Sequence, residues 1–292
     1  MEYFAQQTVS GLAVGFVYAG IALALVIVFQ GTGVLNIAQG ELATLAAFLA
    51  WTFADAGVPW LLAFPMVVVL CFAIGVGLER VFIRPVEGAP ELTILVVTVG
   101  LLLGINGILG LVWGFSPHTL EGPFGSGALH FGEVTVTAEQ AGVAVVMSIA
   151  LGVFYAFFRF TALGLAMRAV ALNPRSAALL GIRVGWVLAI GWGLAAAMGA
   201  VAGMLTAPLI GLDVNLFFAL LLYGLAAATL AQFNNMVVAV IGGLVVGLSQ
   251  TLSAAYIGVI GNDLNLVVPF GLIVLVLIFK PGGFGRASSA RV

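Results

Sequence analysis

RFTALGLAMRAVALNPRSAALLGIR, residues 159–183, carries four arginines and no acid between two long apolar runs, 139–158 and 186–208. Elsewhere charge is scarce: nine basic and eleven acidic side chains serve 292 residues, and 63% of the chain is hydrophobic. A soluble domain covers its surface with about 25% charged residues; at 7% this chain has lipid for a solvent. A bilayer core of about 30 Å takes roughly 20 apolar residues per helix. On that basis the sequence predicts an all-α, polytopic transmembrane bundle of about 8–10 spans. The candidates are 8–29, 37–54, 59–79, 93–114, 139–158, 186–208, 216–231, 237–256 and 265–279, with 216–231 and 265–279 short. The first run has no basic segment before it and no cleavage pattern, so it reads as a retained helix.

The nine basic residues fall in three places: Arg80 and Arg84, then Arg159 to Arg183, then Lys280, Arg286 and Arg291. Lys and Arg mark cytoplasmic loops. Putting all three places inside leaves the acids Asp55, Glu121, Glu133, Glu139, Asp213 and Asp263 outside. The expectation is a multi-pass protein of the plasma (inner) membrane, N-terminus outside and C-terminus cytoplasmic. It forms one permease domain over 1–292, with a cytoplasmic loop at 159–185 and an extracytoplasmic loop at 115–138. Within that outer loop, residues 128–137 partly alternate like a hairpin. His118 and His130 lie there without metal-ligand spacing, and Cys71 stands alone in an apolar run.

No catalytic or metal-binding constellation, and no cofactor motif, stands out. The sole lysine, Lys280, lies outside any phosphate-binding loop, so the chain brings no motor of its own. No basic patch interleaved with aromatics points to nucleic acid. Two classes remain open: a passive pore, or the membrane part of a machine driven by another polypeptide.

Three segments bear on the choice. Gly15-Phe16-Val17-Tyr18 is followed by Gly33-Val34-Leu35-Asn36-Ile37-Ala38-Gln39-Gly40-Glu41, a polar turn that breaks an apolar helix near 30–41. Irregular backbone at membrane depth must face protein or water, and Glu41 needs a partner, a wet cavity or a solvated position near the cytoplasmic interface. Next come Arg84-Pro85-Val86-Glu87-Gly88 and Thr98-Val99-Gly100-Leu101. The third is the arginine segment itself. There Asn173 suits a helix cap, Pro174 a first helical position and Gly181 a helix stop, giving a short helix over 176–180.

Together these segments resemble the permeases of branched-chain amino-acid ABC importers of the LivH type, over roughly residues 8–286. Glu87 stands where that family carries a basic residue. Leu230-Ala231-Gln232-Phe233-Asn234-Asn235 stands where it carries a Gly-rich turn. The resemblance implies separate ATPase subunits, a second permease (a paralogue or a second copy) and a solute-binding protein as partners, with hydrophobic amino acids as cargo. It places ATPase coupling on Arg168, Asn173, Pro174, Ala177, Leu180 and Gly181. Another small solute of the same superfamily remains open, as does binding of membrane lipid by the arginines. Polar residues in apolar surroundings, Asn36, Gln39, Glu41 and Asn106, are candidates for lining the translocation path or for interhelical hydrogen bonds. Five small-xxx-small pairs mark close packing: Gly11/Gly15, Gly100/Gly104, Gly110/Gly114, Gly199/Gly203 and Gly243/Gly247.

Overall fold

The computed structural model describes residues 2–32, 35–125, 127–131, 134–258, 264 and 266–279. Gly33, Val34, Glu133, Asp263, Lys280, Arg286, Arg291 and the tail after 279 lie outside the described residues. Each expected span holds a helix: α1 (Glu2–Thr32), α2 (Gln39–Asp55), α3 (Trp60–Leu78), α4 (Glu91–Trp113), α5 (Ala138–Phe160), α8 (Val184–Ile210), α9 (Leu216–Leu230), α10 (Met236–Tyr256) and α11 (Val267–Phe279). Among the described residues, six helices are long and apolar enough to cross a membrane. The short ones are α2, α9 and α11, and the 17 residues of α2 rise only about 26 Å.

Two segments expected as loops are helical. After α3 the helix continues through a π turn, Glu79–Ile83, and a 3-10 turn, Arg84–Val86. This keeps Arg80 on the outer side, 4.0 Å over the Trp186 ring, while Glu79 is buried. Within 159–185, Thr161 accepts from Gly164 N and starts α6 (Ala162–Leu172), which precedes α7 (Pro174–Leu179). Residues 115–138 contain an antiparallel hairpin, β1 (Ala128–Phe131) with β2 (Val134–Thr137), as the alternation there predicts.

The bundle is built around α1 and α8, both buried nearly throughout, while α3, α4, α5 and α10 leave broad faces open. In lipid, apolarity alone does not draw helices together; close approach of small residues does. In α8 glycines and alanines occur on every side, so neighbours can pack all round it. Gly11 and Gly15 of α1 meet Gly243, Leu244 and Gly247 of α10, and a Cβ at Gly15 would stand 2.9 Å from Leu244 Cα. Gly199 and Gly203 of α8 face Gln39 and Ala43 of α2. Gly100 and Gly104 of α4 face open space instead, so the same motif there packs nothing within this chain.

The bundle has two chemically distinct ends. At one, Gln6 exchanges hydrogen bonds with the Thr135 backbone (2.8 and 2.9 Å), Tyr3 meets Tyr256, and His118 pairs with Leu212 through backbone bonds of 2.8 and 3.0 Å. At the other, Gln30 donates to the Asn234 carbonyl (2.9 Å) and the α3 extension lies against the start of α8. All six described arginines belong to this second end.

Candidate functional site

The four polar candidates on α2, its preceding turn and α4 are brought into one central region. Asn36, Gln39 and Glu41 are all buried. Asn36 accepts from Ala38 N (3.1 Å) and donates to Gln39 Oε1 (3.3 Å), and Gln39 Nε2 donates to the Ala195 carbonyl (3.0 Å). Ala195 lies roughly 16 Å along α8 from its arginine end, so α2 begins deep inside the bundle. The expected re-entrant turn is therefore seen in its described part, residues 35–38 ahead of Gln39. The Thr98 hydroxyl of α4 donates mainly to the Leu95 carbonyl of its own helix (2.8 Å) and shares that proton with the Leu35 carbonyl (3.4 Å), which ties the turn to α4.

A second break enters from the opposite end. Residues 211–215 join α8 to α9, with Leu212 and Val214 buried, and Asn106 Nδ2 donates both to the Val214 carbonyl and to Glu41 Oε2, each at 3.3 Å. The polar side chains of α4 thus hold two non-helical segments that dip toward each other. Discontinuous helices meeting at mid-depth are a common way to build a transporter's binding region. Glu41 is buried in protein rather than placed at an interface. In the isolated permease, Glu41→Leu is expected to destabilise by about 1 kcal/mol, since Asn106 keeps the Val214 carbonyl. Glu41→Gln should melt like the parent, because Gln still offers an oxygen to Asn106. A transport loss confined to Glu41→Gln at unchanged melting temperature would assign the carboxylate to the path rather than to helix pairing.

The arginine segment folds as a bracket. In α7 the Asn173 side chain accepts from Ser176 N (3.0 Å), Pro174 takes the first helical position, and Gly181 has φ +83°. Gly181 N donates to Ala178 O (3.0 Å) and Ile182 N to Ala177 O (3.1 Å), the paired bonds of a Schellman stop. Ala177 is buried with Val170, Val187 and Leu188 and anchors the helix. Leu180 is 80% exposed, and so is Leu179 at 89%, which sequence reasoning passed over. Arg168 departs from the group. It sits on α6, donates through Nε to the Gly164 carbonyl (3.4 Å), and lines a separate cleft with Arg159.

Sequence reasoning also missed the α9–α10 turn, where Gln232 and Phe233 hold positive φ (51° and 54°) and Phe233 is fully buried against Phe29. Its only signal was the departure from a Gly-rich turn at that place, where glycine accepts such backbone without strain.

Two non-helical segments meet at the centre of a membrane-spanning bundle, and a capped helix is held at its basic end, an arrangement common in transporters. The family described as "Branched-chain amino acid transport system / permease component" matches residues 7–277. LivH of Escherichia coli strain K12, a high-affinity branched-chain amino acid transport system permease protein, is 31% identical over 306 residues, covering 99% of this chain and 98% of the relative. LivH of Salmonella typhimurium strain LT2 and BraD of Pseudomonas aeruginosa PAO1, described in the same words, are each 30% identical with the same coverage. The chain belongs to this permease family and is a membrane subunit of the ABC-type importer superfamily.

Proposed function

We propose that this permease translocates branched-chain or other hydrophobic amino acids, delivered by a solute-binding protein and driven by separate ATPase subunits. The observation that carries the motor-driven part is α7. It is a six-residue helix, capped at both ends, that turns Leu179 and Leu180 away from the bundle. Two exposed leucines on a rigid, short helix suit the groove of a protein partner. The ATPase engages residues 173–181, with the whole of 159–185 cytoplasmic and Arg168 supporting the bracket from α6. The N-terminus, the 115–138 hairpin loop and the C-terminal end of α10 then face outward, where the binding protein docks. A second permease, paralogue or copy, completes the path.

The amino-acid cargo is supported by the branched-chain amino acid transport for which the relatives are named, and they match the chain along almost its whole length. Asn36, Gln39, Glu41 and Asn106 are the polar groups of an otherwise apolar route. Reconstitution with the cognate ATPases and binding protein tests the reading. ATP-dependent uptake of leucine is the expected result. Uptake without ATP would replace the motor-driven reading with a channel. ATP-dependent uptake of a sugar or amide but not leucine would overturn the cargo alone.

A further inference from the structure

Helices α5 and α10 both lean on α1 yet scarcely touch each other, which leaves a groove between them. Two cavities, about 580 and about 360 Å³, fill this groove and share Tyr155, Met236 and Val237, so they are continuous. The deeper part is apolar, lined by Leu23, Leu151, Gly152 and Val240. A Cβ added at Gly152 would meet nothing within 4 Å, so the groove is open at that height. At the arginine end the lining changes to Arg159, Arg168, Gln232 and Asn235. Among the described residues no acid lines either cavity. The N-terminal, positive end of α10 opens on the same cleft. Above the groove the outer faces of both helices are apolar and exposed, at Ile149 and Val153 of α5 and at Ile241 and Val245 of α10.

We propose that this groove is a binding site for one anionic glycerophospholipid of the leaflet at the arginine end. An acyl chain lies along Leu151, Gly152 and Val240, and the phosphate rests between Arg159 and Arg168. The order of the lining, apolar at depth and cationic at the helix ends, matches the order of groups along a lipid. An amino-acid cargo needs no such length of apolar groove, and an ATPase would not reach the depth of Leu23. The site rests on the membrane-spanning fold alone, so it stands or falls independently of the transported solute.

Native mass spectrometry of the intact permease, extracted in mild detergent and offered dioleoyl-phosphatidylglycerol or dioleoyl-phosphatidylcholine, tests it. Two arginines near the surface give an expected preference of about 30-fold for the anionic lipid. Arg159→Gln should cut that retention about fivefold. Gly152→Leu fills the apolar half without touching the arginines and should abolish it at an unchanged melting temperature. Equal retention of the two lipids, or wild-type retention by both variants, overturns the proposal. So does displacement of phosphatidylglycerol by inorganic phosphate alone, which would mark a simple anion site. Crosslinking of Gly152→Cys to a second permease chain in the assembled importer would overturn it as well.

Discussion

Gly181→Arg is expected to abolish co-purification with the ATPase subunits while leaving the amount of permease in the membrane unchanged. Gly181 sits at φ +83°, a conformation that costs an L-residue about 1–2 kcal/mol. Its N–H and that of Ile182 close the stop that ends α7. The Asn173 cap and the buried Ala177 hold the earlier part of this six-residue helix, so losing the stop frays the last turn, which presents Leu179 and Leu180. The new side chain also places a long cation beside those leucines, in the middle of the proposed contact. Disturbing the centre of such an interface costs about 2–4 kcal/mol, which is about 30-fold or more in affinity. Gly181→Asn is the control, because Asn accepts left-handed backbone and adds little bulk; it should retain the ATPase. Normal co-purification of Gly181→Arg would sink the coupling role of α7.

The short capped helix α7 was legible because its determinants are local. Asn173, Pro174 and Gly181 each act on backbone within a few residues, and all three occupy the positions their chemistry implies. The places of the apolar helices were legible too, since a crossing must be apolar for about 20 residues, although α2, α9 and α11 fall short of that length. Depth was not. The polar turn before Gln39 announces a break, but only the bond from Gln39 to Ala195 places that break mid-bundle, and nothing local marks 211–215 as a partner break. The π turn at 79–83 escaped for another reason: the helix merely runs on past its apolar stretch, and composition records no boundary. The sequence singled out Asn36, Gln39, Glu41 and Asn106 by polarity, yet while Asn36 bonds within three residues, the partners that bring Gln39, Glu41 and Asn106 together lie more than 60 residues away along the chain. Gly100/Gly104 and Gly199/Gly203 are identical as motifs and opposite in fate, because in lipid a small residue is as compatible with an open face as with a packed one.

That last contrast yields the second large effect. Gly203→Leu should cost about 3 kcal/mol and leave little folded permease in detergent extracts, while Gly104→Leu in the same isolated chain should behave as the parent. A Cβ at 203 would run into the carbonyl oxygen and carbon of Ala43, which are backbone and cannot rotate away. Helix α2 would have to shift off α8. Its first turn holds Gln39 on Ala195 and Glu41 on Asn106, so both bonds would lengthen together, adding loss of polar partners to overpacking. At 104 nothing lies within 4 Å, and the added side chain projects into open space beside the isolated chain. Size-exclusion profiles and melting temperatures of the two variants decide the matter. Equal behaviour would mean that α2 does not cross α8 at Gly203. The buried polar column from Asn36 to Asn106 would then lose its frame, because that crossing is what fixes where Glu41 stands.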